Sequence, residues 1–175
     1  MTDSISVDFD ALSLQDALDL AVLVEEEAQE RYVDFADQME KHATPEAAAF
    51  FRAMAGNEEK HGAQLRTRRS RLFADAPRRV SRSMLWDVEA PEYDEPRAFM
   101  TAREAMEVAL RAETKALQFF VDAIPHVADP EVRRLFEELR DEEVLHQSLV
   151  REALRQLPGG TEPDPEGFVD EPVAQ

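Results

Sequence analysis

The stretch ALDLAVLVEEEAQERY at residues 17–32 lies over AMEVALRAETKALQFF at residues 105–120 without a gap. Both are rich in Ala, Leu, Glu and other strong helix formers. Extended in both directions, the first gives the stripe Leu14, Leu18, Ala21, Glu25, Ala28, Tyr32, Phe35, Met39. Its steps alternate between four and three, which is the seam of a helix packed against other helices. The second gives Phe99, Ala102, Met106, Ala109, Glu113, Ala116, Phe120, Ile124. Each seam therefore carries one glutamate where a leucine would be expected, at Glu25 and at Glu113.

Downstream of each stretch the duplication continues. Phe51, Met54, Glu58, His61 and Leu65 lie over Phe136, Leu139, Glu143, His146 and Val150. Thr44-Pro45-Glu46 and Asp129-Pro130-Glu131 each offer a cap, a proline at the first helical position and a first-turn acid. Ser13, with Asp16 three residues on, opens the first helix, which should run to about Lys41. The second should run to about Leu72, the third from Pro96 or Thr101 to Pro125, and the fourth up to Pro158-Gly159. Short connections make each pair an antiparallel hairpin. The segment between helices two and three, about 70–95, is long enough to run the length of a bundle whose 28-residue helices span about 42 Å. The expected fold is all-α, a four-helix bundle of two antiparallel hairpins joined by a long crossover. A short helix is expected around residues 82–88. The expected organisation is an N-terminal segment 1–12, a bundle 13–157 and a disordered acidic tail 158–175 rich in Pro and Gly.

Composition narrows the function classes. The 175 residues include no Cys, which excludes disulfides, iron–sulfur clusters, rubredoxin-type sites and thiol nucleophiles. A net charge of −18 repels phosphate backbones and anionic lipid, so neither nucleic acid nor a membrane is an expected partner. The opening MTDSISVDFDALSL has no basic region followed by a long apolar run, and a cytoplasmic location is the expectation.

Four buried carboxylates would cost several kcal/mol each, and the facing seams offer no Arg or Lys to pair with them. Two divalent metals balance the charge: four glutamates carry −4, two ions carry +4, and two neutral imidazoles add nothing. One Glu from each of two helices, plus Glu-x-x-His from each of the other two, is the donor set of di-iron and di-manganese carboxylate bundles. The i,i+3 spacing puts both side chains of a pair on one helix face. Carboxylate and imidazole donors without thiolate suit iron or manganese, and zinc would also fit. The expected ligands are Glu25, Glu58, His61, Glu113, Glu143 and His146. His42 and His126 fall in turns and read as surface residues.

These motifs give the chain a resemblance to the rubrerythrin branch of the ferritin-like superfamily. It rests on Glu25 seven residues before Tyr32, AGNEEKH at 55–61, Glu113 seven before Phe120, and DEEVLH at 141–146, and it spans about residues 13–157. The resemblance implies a non-haem di-iron centre held by the same six residues, with Glu58 and Glu143 bridging and Glu25 and Glu113 terminal. It further implies reaction with hydrogen peroxide or dioxygen, a role in oxidative stress, and a homodimer. The chain departs from the family pattern in three ways. It lacks the four-Cys electron relay, has Ala116 where a further Glu is usual, and has Phe120 opposite Tyr32. Electrons would then come from an external donor or from Fe(II) itself. Bacterioferritin shares the six-ligand pattern but places a haem-ligating Met where this chain has Glu59, so no haem is expected. An iron-storage or carrier module without turnover is the alternative reading.

Weaker signals surround this pattern. Tyr32, the one candidate catalytic side chain, either bonds a ligand carboxylate or relays an electron, or else is an ordinary core aromatic. Asn57 and Glu142 precede the two Glu-x-x-His pairs and could orient the histidines, with exposure the preferred reading. Glu26, Glu27, Glu30 and Glu59 could form a cation route, although a solvated face is preferred. The seven arginines from Arg66 to Arg82 read as partners for the acidic surface and helix terminus rather than as a docking patch. Trp86 and Tyr93 could cover the bundle's flank or a dimer contact.

Overall fold

Ser13 begins the first helix as expected: its hydroxyl accepts from the Asp16 amide at 3.2 Å and donates to the Asp16 carboxylate at 2.6 Å. The structure, a computed structural model, describes residues 8–82 and 100–157. It contains α1 (Leu14–Lys41), α2 (Pro45–Phe73), α3 (Ala102–Ala123) and α4 (Pro130–Gln156), with a short 3-10 turn at Ile124–His126 and no strand among the described residues. Thr101 and Glu104 close a complete capping box on α3, and Asp129 accepts from the amides of Glu131 and Val132 to start α4. Thr44 departs from its expected role. It stands at the N-cap position of α2, but its hydroxyl donates to the Met39 carbonyl at 3.0 Å. The turn between α1 and α2 is so short that the last carbonyls of α1 capture this hydroxyl first. The expected helix at 82–88 beyond its first residue, Trp86, Tyr93 and the tail 158–175 lie outside the described residues.

Two apolar clusters show how the helices run. One joins Leu18 and Val22 of α1, Leu65 of α2, Phe120 of α3 and Phe136 and Leu139 of α4. The other joins Tyr32, Phe35 and Met39 of α1, Phe51 of α2, Met106 of α3 and Val150 of α4. Thus α1 and α4 run from the first cluster to the second, while α2 and α3 run the opposite way. α2 ends at one end of the bundle and α3 starts at the other. The described residues that follow α2 run along α1: Gln15 bonds the Pro77 carbonyl, Arg79 pairs with Asp16, and Arg82 pairs with Glu30. Six of the seven arginines in this region pair with acids, as Arg66, Arg68, Arg69, Arg78, Arg79 and Arg82 do, in line with the partner reading.

The two clusters do not merge. Between Val24 and Ala28 on α1, and between Leu139 and Val150 on α4, a polar layer interrupts the core. Each buried phenylalanine contributes about 1.5–3 kcal/mol. The apolar ends therefore supply the stabilisation that a stack of buried carboxylates does not. Residues 8–12 reinforce one end: Phe9 sits edge-on to Phe119 and Phe136 at 5.8 and 6.2 Å.

Candidate metal centre

The six expected ligands all lie in the polar layer. Glu58 and Glu113 are fully buried, Glu25, Glu143 and His146 nearly so, and His61 is half-buried. Each sits near mid-helix because the seam that buries Leu18 or Phe51 continues through it at the same spacing. α1 supplies Glu25, α2 Glu58 and His61, α3 Glu113, and α4 Glu143 and His146.

Donor atoms converge in three groups, each within 4.8 Å: Glu58 with His61 and His146, Glu113 with Glu143 and His146, and Glu25 with His61 and Glu142. Every group draws on more than one helix, and two of the three combine both hairpins. The site forms only when the hairpins dock. The two imidazoles stack with centroids 4.8 Å apart and planes 2° from parallel. His146 Nδ1 lies 3.0 Å from Glu113 Oε2 and 3.8 Å from Glu143 Oε2. The Gln147 amide, next in sequence, donates to the Glu113 carbonyl at 3.2 Å and ties α4 to α3.

Tyr32 takes the first of the roles open to it. Its hydroxyl donates to Glu113 Oε1 at 3.0 Å from a fully buried position, so this carboxylate is held from both sides, by Tyr32 and by His146. The Tyr32 ring itself stacks on Phe51. The repeat places Phe120 at the equivalent position, with no hydroxyl to offer Glu25, and the layer is asymmetric for that reason.

Burial lowers the His61 imidazole below its ordinary pKa, and the neighbouring His146 and Lys60 act in the same direction against Glu113. A neutral imidazole is the form that binds metal. His61 Nδ1 is buried and makes no hydrogen bond among the described residues. Carboxylate oxygens and imidazole nitrogens in closely spaced groups fit divalent or trivalent iron, and the layer meets that test by its donor chemistry.

Sequence reasoning underrated Glu142. It is half-buried rather than exposed, and it reaches Glu25 and His61. Burial raises its carboxyl pKa, with Glu138 adding to the rise and His146 opposing it. The signal available was the i,i+4 pair Glu138 and Glu142, each one residue before a seam position, Leu139 and Glu143. The candidate cation route is taken up by arginines, in line with the preferred reading of a solvated face: Glu26 pairs with Arg66 and Arg78, Glu59 with Arg66, Glu30 with Arg82 and Glu27 with Arg31. His42 and His126 join none of the donor groups among the described residues.

Four helices that gather two Glu-x-x-His pairs and two further glutamates into one buried layer define a ferritin-like protein of the di-iron carboxylate class. The chain belongs to the Rubrerythrin family, whose profile matches residues 16–154. Its fold is shared by an uncharacterised conserved protein from Magnetospirillum magnetotacticum MS-1, 31% identical with a TM-score of 0.64, covering 86% of this chain and 99% of that one. A hypothetical protein from Pyrococcus furiosus is 25% identical with a TM-score of 0.52, covering 82% of this chain and 89% of its own. No curated protein matches the sequence. No helix among the described residues is long and apolar enough to cross a membrane.

Proposed function

We propose that the chain holds two iron ions in the polar layer and reduces hydrogen peroxide or dioxygen, drawing electrons from an external donor or from Fe(II). The observation that carries this reading is the convergence of donor groups across both hairpins within 4.8 Å, in a layer sealed above and below by apolar clusters. Glu25, Glu58, His61, Glu113, Glu143 and His146 are the proposed ligands. Bound iron would supply redox chemistry, giving up one electron per ion, so that peroxide with two electrons and two protons becomes two waters.

The chain's own groups do the rest. Four carboxylates match the charge of two divalent ions, which makes their burial tolerable. Tyr32 fixes the orientation of Glu113: its hydroxyl oxygen stands 3.0 Å from Oε1 and holds its proton between the two. Half-buried His61 marks the side of the layer nearest solvent, where a small oxidant would approach. None of the 175 residues is a cysteine, so these residues build no rubredoxin-type relay of their own, and the proposed electron source is external to them. A cytoplasmic homodimer is the proposed setting. Val144, Leu145 and Leu149, each about half exposed on α4, give apolar surface for a second copy to cover.

The test is anaerobic loading with Fe(II), then peroxide with and without an electron donor, followed by absorbance and by peroxide consumption. Many peroxide molecules reduced per chain in the presence of donor support the enzyme. A single stoichiometric oxidation supports the storage or carrier reading instead.

A further inference from the structure

We propose that Glu142 is a seventh metal-binding residue, joining Glu25 and His61 around one of the two ions at the inner end of a cleft between α2 and α4. The inference rests on the reading of the layer as a metal centre and assigns one more of this chain's carboxylates to it.

Three observations carry it. First, a Glu142 oxygen, a Glu25 oxygen and a His61 ring nitrogen lie within 4.8 Å of one another although they come from α4, α1 and α2. Such a mixed carboxylate and imidazole group, drawn from three helices, is a donor set for a hard or borderline divalent ion. Second, the His61 Nδ1 atom is buried and makes no hydrogen bond among the described residues, so the group contains a donor nitrogen available to an ion. Third, a cleft of about 140 Å³ reaches this point, lined among others by His61, Gln64, Arg68, Leu139, Glu138 and Glu142. Its volume takes a cation with part of its water shell, since a water occupies about 30 Å³.

The cleft is graded in charge. Glu138, one turn before Glu142 on α4, is paired with Arg68 across the cleft. Deeper in, Glu142 faces His61. A cation passing inward would exchange water first for the Glu142 carboxylate and then for Glu25 and His61. The internal repeat makes the feature one-sided, because the residue equivalent to Glu142 in the first hairpin is Asn57, whose amide carries no charge. The Glu142 carboxylate therefore has no acidic counterpart at Asn57, and the ion at Glu25 and His61 is the one that it serves.

The experiment is anaerobic Co(II) titration of the full chain and of Glu142→Gln, read by calorimetry and by the visible absorption of the bound ion. Far-UV circular dichroism of each apo form checks that the helices are intact. Wild type should bind two ions. Glu142→Gln should bind one of them at least about tenfold more weakly and keep the other unchanged. Glu142→Asp, which keeps the charge but withdraws it by one methylene, should show the same selective weakening in milder form. Two ions bound by folded Glu142→Gln with wild-type affinities would overturn the assignment of Glu142 and leave the metal centre standing. Loss of both ions in the folded variant would overturn its assignment to a single ion. Failure of wild type to bind Co(II) in the layer would overturn the underlying reading and the inference together.

Discussion

Tyr32 on α1 and Glu113 on α3, 81 positions apart in sequence, are joined by a buried 3.0 Å hydrogen bond that links the two hairpins inside the polar layer. The bond breaks the near-symmetry of the duplicated sequence, because Phe120 faces the other half without a hydroxyl. It also shows how the core handles a buried carboxylate, by supplying a polar partner on either side of it.

Removing this hydroxyl tests its weight. Tyr32→Phe should keep the ring stacked on Phe51 but leave Glu113 Oε1 without that donor. The apo protein should lose about 1–2 kcal/mol in urea denaturation. An unchanged midpoint would mean that the bond contributes nothing.

Function and stability should pull apart at Glu58. This carboxylate is fully buried, and its burial is costly without an ion beside it. Glu58→Met should make the apo protein more stable by about 1–4 kcal/mol, by the same logic as apolar replacement of buried ionic groups. The same variant should lose metal binding. Thermal melts with and without metal separate the two effects: wild type gains about 2.7 kcal/mol at a hundredfold excess over the dissociation constant, and the variant gains much less.

Asp19 and Arg69 form a charged contact away from the polar layer. Asp19 is fully buried at one end of α1, and Arg69 Nε donates to it at 2.8 Å while its other nitrogens bond the carbonyls of Ala74 and Ala76. Arg69→Ala should strand the carboxylate and release the start of the crossover. A loss of about 3–5 kcal/mol is expected by chemical denaturation. A loss below 1 kcal/mol would contradict this assignment.

Backbone positions away from the site offer stabilising changes. Gly56 lies on an exposed helical face with nothing within 4 Å of the place a Cβ would occupy, so Gly56→Ala should add about 0.5–1 kcal/mol. Ala43 is held at φ 57 in the turn before α2, where an L side chain is strained. Ala43→Gly should relieve about 1 kcal/mol. Melting temperatures that fall instead would refute both readings.

Much of the architecture was legible because the seam obeys one period throughout. Leu18, Glu25, Tyr32 and Met39 fall on the same face whether the side chain is apolar or charged, so the polar layer could be located from spacing alone. Pro45 and Pro130 marked the helix starts because proline tolerates only the first turn. Glu142 was harder to place. It stands next to Glu143, and only the docking of the two hairpins turns it toward His61. The Thr44 hydroxyl was misjudged for a related reason, since its partner is chosen by a tight turn with Ala43 at positive φ. Which acid each arginine meets depends on the path of the crossover along α1, and local sequence does not encode that path.

The most direct measurement is anomalous diffraction at the iron edge from crystals of the iron-loaded protein. The account predicts two peaks per chain between the apolar clusters, flanked by Glu58, Glu113, Glu143 and the two stacked histidines. Peaks confined to the outer acidic faces, with that interior layer empty, would contradict it.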